Sequence, residues 1–173
     1  MLPLNRQNHP PRGGPSMPIR RVKAGQRKQF AILSRSLWGV WTHWNGKQSE
    51  PCYQEKKQCG GCKRGLPKRW KGYLHAYDFM DKEECFLELT PLACDQLLAQ
   101  AGDKEPLRGN RVLVERGAGN KARLTVTMLT PVQSVSSLPA EKDPQSALQK
   151  LWGVDDTVAY PQQPPSLPMD EAM

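Results

Sequence analysis

No stretch of this 173-residue sequence approaches the ~18 consecutive apolar residues that a membrane-spanning helix needs, which excludes a protein that spans with helices. Residues 1–18 lack the apolar core of a secretory signal and are instead rich in Pro, Gly and Asn. Histidine is scarce, at three residues, and none lies in a His-x-Glu or His-Glu-x-x-His pattern. There is no nucleophile elbow, no glycine loop of the phosphate-binding type and no carboxylate pair spaced for acid–base work, so the expectation is a protein that is not an enzyme. Acid is nearly missing from residues 19–71, where fourteen Lys and Arg face only Glu50 and Glu55, a net charge of +12. The five cysteines are odd in number and include a Cys-Gly-Gly-Cys step, which fits a reducing compartment and a metal site better than a disulfide framework. A cytoplasmic protein is expected.

What is present is unevenly spread. The overall charge of +8 combines residues 1–18 at +2 and the basic block at +12 with residues 72–130 at −2 and residues 131–173 at −4. A basic block feeding a near-neutral domain suggests a polyanion-binding face at one end. Prolines 3, 10, 11, 15 and 18 mark residues 1–18 as a disordered tail, and the Pro/Gln-rich stretch from Tyr160 onward predicts a second one. No internal repeat is visible.

Between the tails the pattern is mostly period two. Residues 27–44 read as one long strand, with Gly39 as a bulge or coiling point. Residues 45–68 form a polar loop bearing cysteines. A second strand, 70–79, sets Trp70, Gly72, Leu74 and Ala76 on one face and Lys71, Tyr73, His75, Tyr77 and Phe79 on the other. A third, 84–90, sets Cys85, Leu87 and Leu89 opposite Phe86, Glu88 and Thr90. The period then changes. Thr90 is placed to cap a helix with Pro91 in its first turn; Cys94, Leu97, Leu98 and Ala101 follow helical spacing, and Gly102 closes it. Strands at 110–116 and 122–130 come next, joined by a turn that uses Gly117, Gly119 and Asn120. A short helix over 144–152, capped by Asp143, carries the apolar stripe Ala147, Leu148, Leu151 and Trp152.

The resulting order, β-β-β-α-β-β with a long first strand, resembles the OB-fold over residues 27–130. The resemblance lies in element order and not in a diagnostic motif. It implies a mainly β protein built on a small five-stranded barrel over residues 19–131, with an N-terminal tail over 1–18 and a C-terminal linker, helix and tail over 132–173. An SH3-like barrel is the alternative. In OB-folds the second and third strands and the loops beside them form the binding groove, so the resemblance maps Lys71, Tyr73, His75, Tyr77 and Phe86 to that groove.

The sharpest chemical signal is His43-x8-Cys52-x6-Cys59-x2-Cys62, inside a zinc loop assigned to residues 43–68. Thiolates and a neutral imidazole suit tetrahedral Zn²⁺, and the two glycines between Cys59 and Cys62 permit a sharp backbone turn, as in zinc knuckles. A polar loop of this length cannot fix its own shape by apolar burial, so one structural zinc ion is the expected organiser. His43 is the first choice for fourth ligand, with His75 and Cys85 as alternatives. Cys85 and Cys94 lie on apolar faces and are assigned to the core.

Around that loop stand Lys47, Lys56, Lys57, Lys63, Arg64, Lys68, Arg69 and Lys71, interleaved with Trp38, Trp41, Trp44, Trp70, Tyr73 and Tyr77. Basic side chains neutralise phosphates, and aromatic faces stack unpaired bases at about 1–3 kcal/mol each. The expected partner is therefore single-stranded DNA or RNA. Trp70 shares the apolar face and is assigned to the core; Tyr73, Tyr77 and Phe86 are assigned to contact. A bulge at Gly39 would invert the first strand, so Trp41 and Trp44 are read as contacts without a fixed face. The acidic C-terminal tail is similar in plan to the partner-recruiting tails of bacterial single-strand DNA-binding proteins. Leu148, Leu151 and Trp152 either dock a protein partner or fold back on the barrel. Docking on a larger nucleic-acid-processing complex as an accessory subunit is the alternative function.

Overall fold

The computed structural model describes residues 17–52, 59–102, 106–143 and 146–148, together with the backbone of Val158–Ala159. Lys56, Lys57, Leu151 and Trp152 lie outside the described residues. The elements in chain order are β1 (Ile19–Arg20), β2 (Arg27–Ile32), β3 (Trp38–Trp44), β4 (Ser49–Pro51), α1 (Gly60–Lys63), β5 (Lys68–Asp78), β6 (Glu83–Leu89), α2 (Pro91–Ala101), β7 (Arg111–Arg116), β8 (Leu124–Leu129) and β9 (Val158–Ala159). The protein is mainly β, and among the described residues no helix is long and apolar enough to cross a membrane.

The expected strand over 27–44 is two strands with a break between them. Leu33 and Ser34 both donate their backbone N–H to the carbonyl of His75, at 2.8 and 3.1 Å, and the chain turns there. Two donors on one acceptor displace the ladder by a residue, so the bend falls at 33–37 and not at Gly39. The long β5 spans the break: Lys68–Tyr73 pairs with β3, and Ala76–Asp78 pairs with β2. Register runs unbroken through Gly39, which faces Gly72. The Trp70 indole explains both glycines. A Cβ on Gly39 would run into that ring, and one on Gly72 would meet the ring and the Cys94 sulfur.

Each face of the sheet has its own cover. On the helix side, Trp70, Leu74 and Ala76 of β5 and Cys85, Leu87 and Leu89 of β6 pack with Phe30, Ile32, Val112, Val114 and Val126 against Ala93, Cys94, Leu97 and Ala101 of α2. The sequence signals for α2 act as expected. Thr90 caps it, accepting from the Ala93 N–H; Pro91 opens it, and Gly102 ends it at φ +57°. Burial pushes the Cys85 thiol up to about 12 and the Cys94 thiol up as well, which keeps both neutral in the core.

On the opposite side, the described residues of 138–143 and 146–148 lie against the sheet as a strap. Leu148 is wholly buried with Val40, Tyr73 and Phe86, and Met17, Ile19, Trp38 and Ala147 pack around them. Leu148 itself is folded back on the sheet, while Leu151 and Trp152 lie outside the described residues; of the expected helix only residues 146–148 are described, and they are helical.

The sheet path runs β1-β6-β5-β2-β7-β8, with β3, β4 and β9 attached through β3. Among the described residues the sheet is not closed into the expected five-stranded barrel, and the outer edge of β6 is taken by β1 in parallel pairing, Ile19 beside Phe86 and Arg20 beside Leu87. At the far end β8 pairs, among the described residues, only with β7, and its outer edge is met by side chains of α2. Gln96 accepts from the Val126 N–H and Gln100 from the Met128 N–H, while the Gln100 amide donates to the Val126 carbonyl. Those glutamines stand where another strand's backbone would be.

Candidate metal centre and the surface around it

The hairpin of β3 and β4 and the one-turn α1 bring four side chains together. His43 comes from β3, opposite Glu50 of β4 and Lys68 of β5; Cys52 follows β4; Cys59 caps α1, and Cys62 lies within it. One ligand atom from each of His43, Cys52, Cys59 and Cys62 lies within 4.8 Å of every other, close enough to hold a metal ion. Among the described residues this is the only grouping of its kind. The Cys52 and Cys62 sulfurs are 3.7 Å apart, and Cys62 Sγ is 3.5 Å from His43 Nε2. The Cys62 N–H points at Cys59 Sγ at 3.5 Å, a contact that favours a thiolate there.

His43 is held by its other nitrogen. Nδ1 lies 3.2 Å from the Pro67 carbonyl, which can only accept, so Nδ1 carries the proton and Nε2 presents its lone pair to the cysteines. The ring is fully buried. Gly60 and Gly61 form no positive-φ turn, and both belong to α1. Gly61 is bare because a Cβ there would collide with the His43 ring. The two alternative ligands stand elsewhere. Cys85 is in the core, and His75 sits under the strap between Glu84 and the Lys142 N–H, at 2.8 and 3.2 Å.

The basic residues of the loop that are described lie close to this centre in sequence and strand pairing. Lys47, Lys63, Arg64, Lys68 and Arg69 are exposed, and Arg64 pairs with Glu50 at 2.8 Å. Lys71 is half-buried and lies 3.6 Å from Glu88. Trp44 is 41% exposed at the end of β3, whereas Trp41 is half-buried against the helix-side core. Tyr77 is half-buried, edge-on to Phe79 with ring centroids 5.6 Å apart.

Two expected contact residues are not on the surface. Tyr73 is fully buried and Phe86 is 4% exposed, both under Leu148, and the Tyr73 hydroxyl donates to Glu88 at 2.8 Å. The alternation that put Lys71, Tyr73, His75 and Tyr77 on one face, apart from Trp70, Leu74 and Ala76, holds; what it could not show is that this face has a cover. Burial outweighs the Glu84 contact at His75 and holds its pKa below the ordinary value of 6.5. Glu88 moves the other way from its surroundings: burial opposes ionisation, but Arg21, Lys71 and Tyr73 hold it below the usual carboxylate range. Arg21, which makes a two-pronged contact with Glu88 at 3.0 Å, is a participant that the local sequence pattern does not single out. No family model matches this chain, and neither curated proteins nor solved structures include one similar to it.

Proposed function

We propose that the protein is a non-catalytic binding module in which a structural zinc ion fixes a basic loop for contact with single-stranded DNA or RNA. The observation that carries this reading is the shape of the four-ligand set. With bonds of about 2.3 Å to sulfur and about 2.0 Å to nitrogen, a tetrahedral zinc has S···S and S···N edges of about 3.8 and about 3.5 Å. The distances of 3.7 Å between Cys52 and Cys62 and 3.5 Å between Cys62 and His43 fit those edges. Thiolate-rich sets favour zinc over magnesium or calcium, which seek oxygen. Four protein ligands leave no position for an activated water, which supports a structural role and not a hydrolytic one.

The surface supports the partner. Lys47, Lys63, Lys68 and Arg69 are exposed close to the centre in sequence and pairing, and Trp44 offers an accessible indole beside them. That combination serves phosphate neutralisation and base stacking together. With β2 and β3 taken as one bent strand and β4 with α1 as an insertion, the remaining order over 27–130 is β-β-β-α-β-β, which supports an OB-like reading of the sheet.

The test is a single preparation made without chelator. One zinc per chain is expected by elemental analysis, with binding to a labelled 30-mer of single-stranded DNA that weakens with salt. Four phosphate contacts give a log–log slope of about −3, and Lys68→Ala with Arg69→Ala should reduce its size by about 1.4. One zinc with no binding at low salt would move the reading to the accessory-subunit role. No zinc would remove the organising idea.

A further inference from the structure

The face of the sheet beneath the strap has the chemistry of a wet surface in a dry place. Its residues on β5 and β6 are Lys71, Tyr73, His75, Glu84, Phe86 and Glu88, whereas the same two strands turn only Trp70, Leu74, Ala76, Cys85, Leu87 and Leu89 to α2. A face buried for stability alone is built like the second set. The strap's hold on the first set is mostly polar. The Lys142 N–H donates to His75 Nδ1, Lys142 Nζ pairs with Glu84 at 3.0 Å, and Glu141 accepts from the Arg35 N–H at 2.7 Å. Arg108 reaches the carbonyls of Leu138 and Pro139 at its other end. Leu148 is its one fully buried apolar anchor among the described residues.

We propose that residues 138–143 and 146–148 form a displaceable cover, and that single-stranded nucleic acid competes with this cover for the face bearing Tyr73, His75 and Phe86. The inference rests on the binding role proposed above and extends it. In the covered state the ligand meets only the exposed rim at Trp44, Lys68 and Arg69. Arg69 lies on β5 one strand step from Lys71 and two from Tyr73 on the same face, so the rim leads directly into the covered residues. Displacing the strap adds two aromatic faces, frees Arg35 from Glu141 and frees Lys142 from Glu84.

The experiment uses the full chain with Leu148→Ser, which removes the anchor without changing charge. Lys142→Pro, which deletes the N–H donated to His75, provides a second route, since residues 139–143 have no ladder for proline to break. Hydrogen exchange reads the fold and the cover separately. Retained protection in β5, β6 and α2 with lost protection over 138–148 marks a folded, uncovered protein. That protein is expected to bind the 30-mer at least tenfold more tightly than the unaltered chain, and saturating DNA should strip protection from 138–148 in the unaltered chain. An uncovered variant with unchanged affinity overturns the proposal while leaving the metal-loop reading in place. Protection that persists over 138–148 in both variants shows that the strap is not displaceable and also overturns it. Failure of every form to bind at low salt overturns the binding role itself, and the competition with it.

Discussion

The two sides of the sheet carry equally buried residues but are held by different means. Nineteen buried residues form the cluster on the helix side and four form the one under the strap, counting described residues. The helix-side cover is eleven residues of amphipathic helix with a capped start and a glycine stop. The strap has mostly backbone and ion-pair footings. Leu97 and Leu148 are both at 0% exposure, so burial of a single residue does not tell how firmly its element is attached. Attachment depends on how much apolar area opens together with it.

Four measurements press on that difference. The largest effect is expected for Leu97→Ala, which leaves a cavity in the common core and should cost about 2–5 kcal/mol of global stability in a denaturant titration. Leu148→Ala removes the same atoms from an equally buried site but should cost only about 1 kcal/mol, because the strap can open by itself and caps the loss at its own opening free energy. Equal losses at the two positions would show that the strap and the core unfold as one unit.

Acid should separate the sides next. Folding holds the His75 pKa below 6.5, so the open form takes up a proton first. The contribution of neutral His75 is therefore complete above pH 6.5 and lost as pH falls from there through its lower folded value. The charged groups around the ring are Glu84 on β6 and Lys142 and Glu141 on the strap. Glu84 itself titrates lower, since its contacts with Lys142 and His75 overcome burial and hold it below 4.5. Protection factors in the strap, taken relative to the intrinsic exchange rate at each pH, should fall as pH drops below 6.5 while those of α2 hold; a uniform fall would dissolve the contrast. The smallest effect is expected for Glu141→Gln, less than about 0.5 kcal/mol, because Arg35 is well exposed and the amide still accepts from its N–H.

Legibility in the sequence followed distance along the chain. Thr90, Pro91 and Gly102 announce α2 through groups they touch within four residues. His43, Cys52, Cys59 and Cys62 are legible because nitrogen and sulfur donors at this spacing are a metal-ligand pattern, and the local hairpin brings them close enough to hold an ion. The alternation on β5 and β6 was also readable. What covers each face was not: Tyr73 and Phe86 are buried by Leu148, more than sixty residues onward. Gly39 invites a bulge when read alone and makes sense only beside Gly72 and the Trp70 ring. The parallel pairing at the outer edge of β6 has the same origin, since β1 is two residues long and pairs with a strand sixty-odd residues later.

The glutamines of α2 that meet β8 have a consequence in time. During synthesis residues 91–101 leave the ribosome before 124–129. The cover for the sheet's last edge therefore exists before the edge does, and β8 is protected as soon as it pairs. The strap has the opposite schedule, because it is made after both strands it lies on. For that interval a nascent chain displays Tyr73, His75 and Phe86 to whatever is nearby.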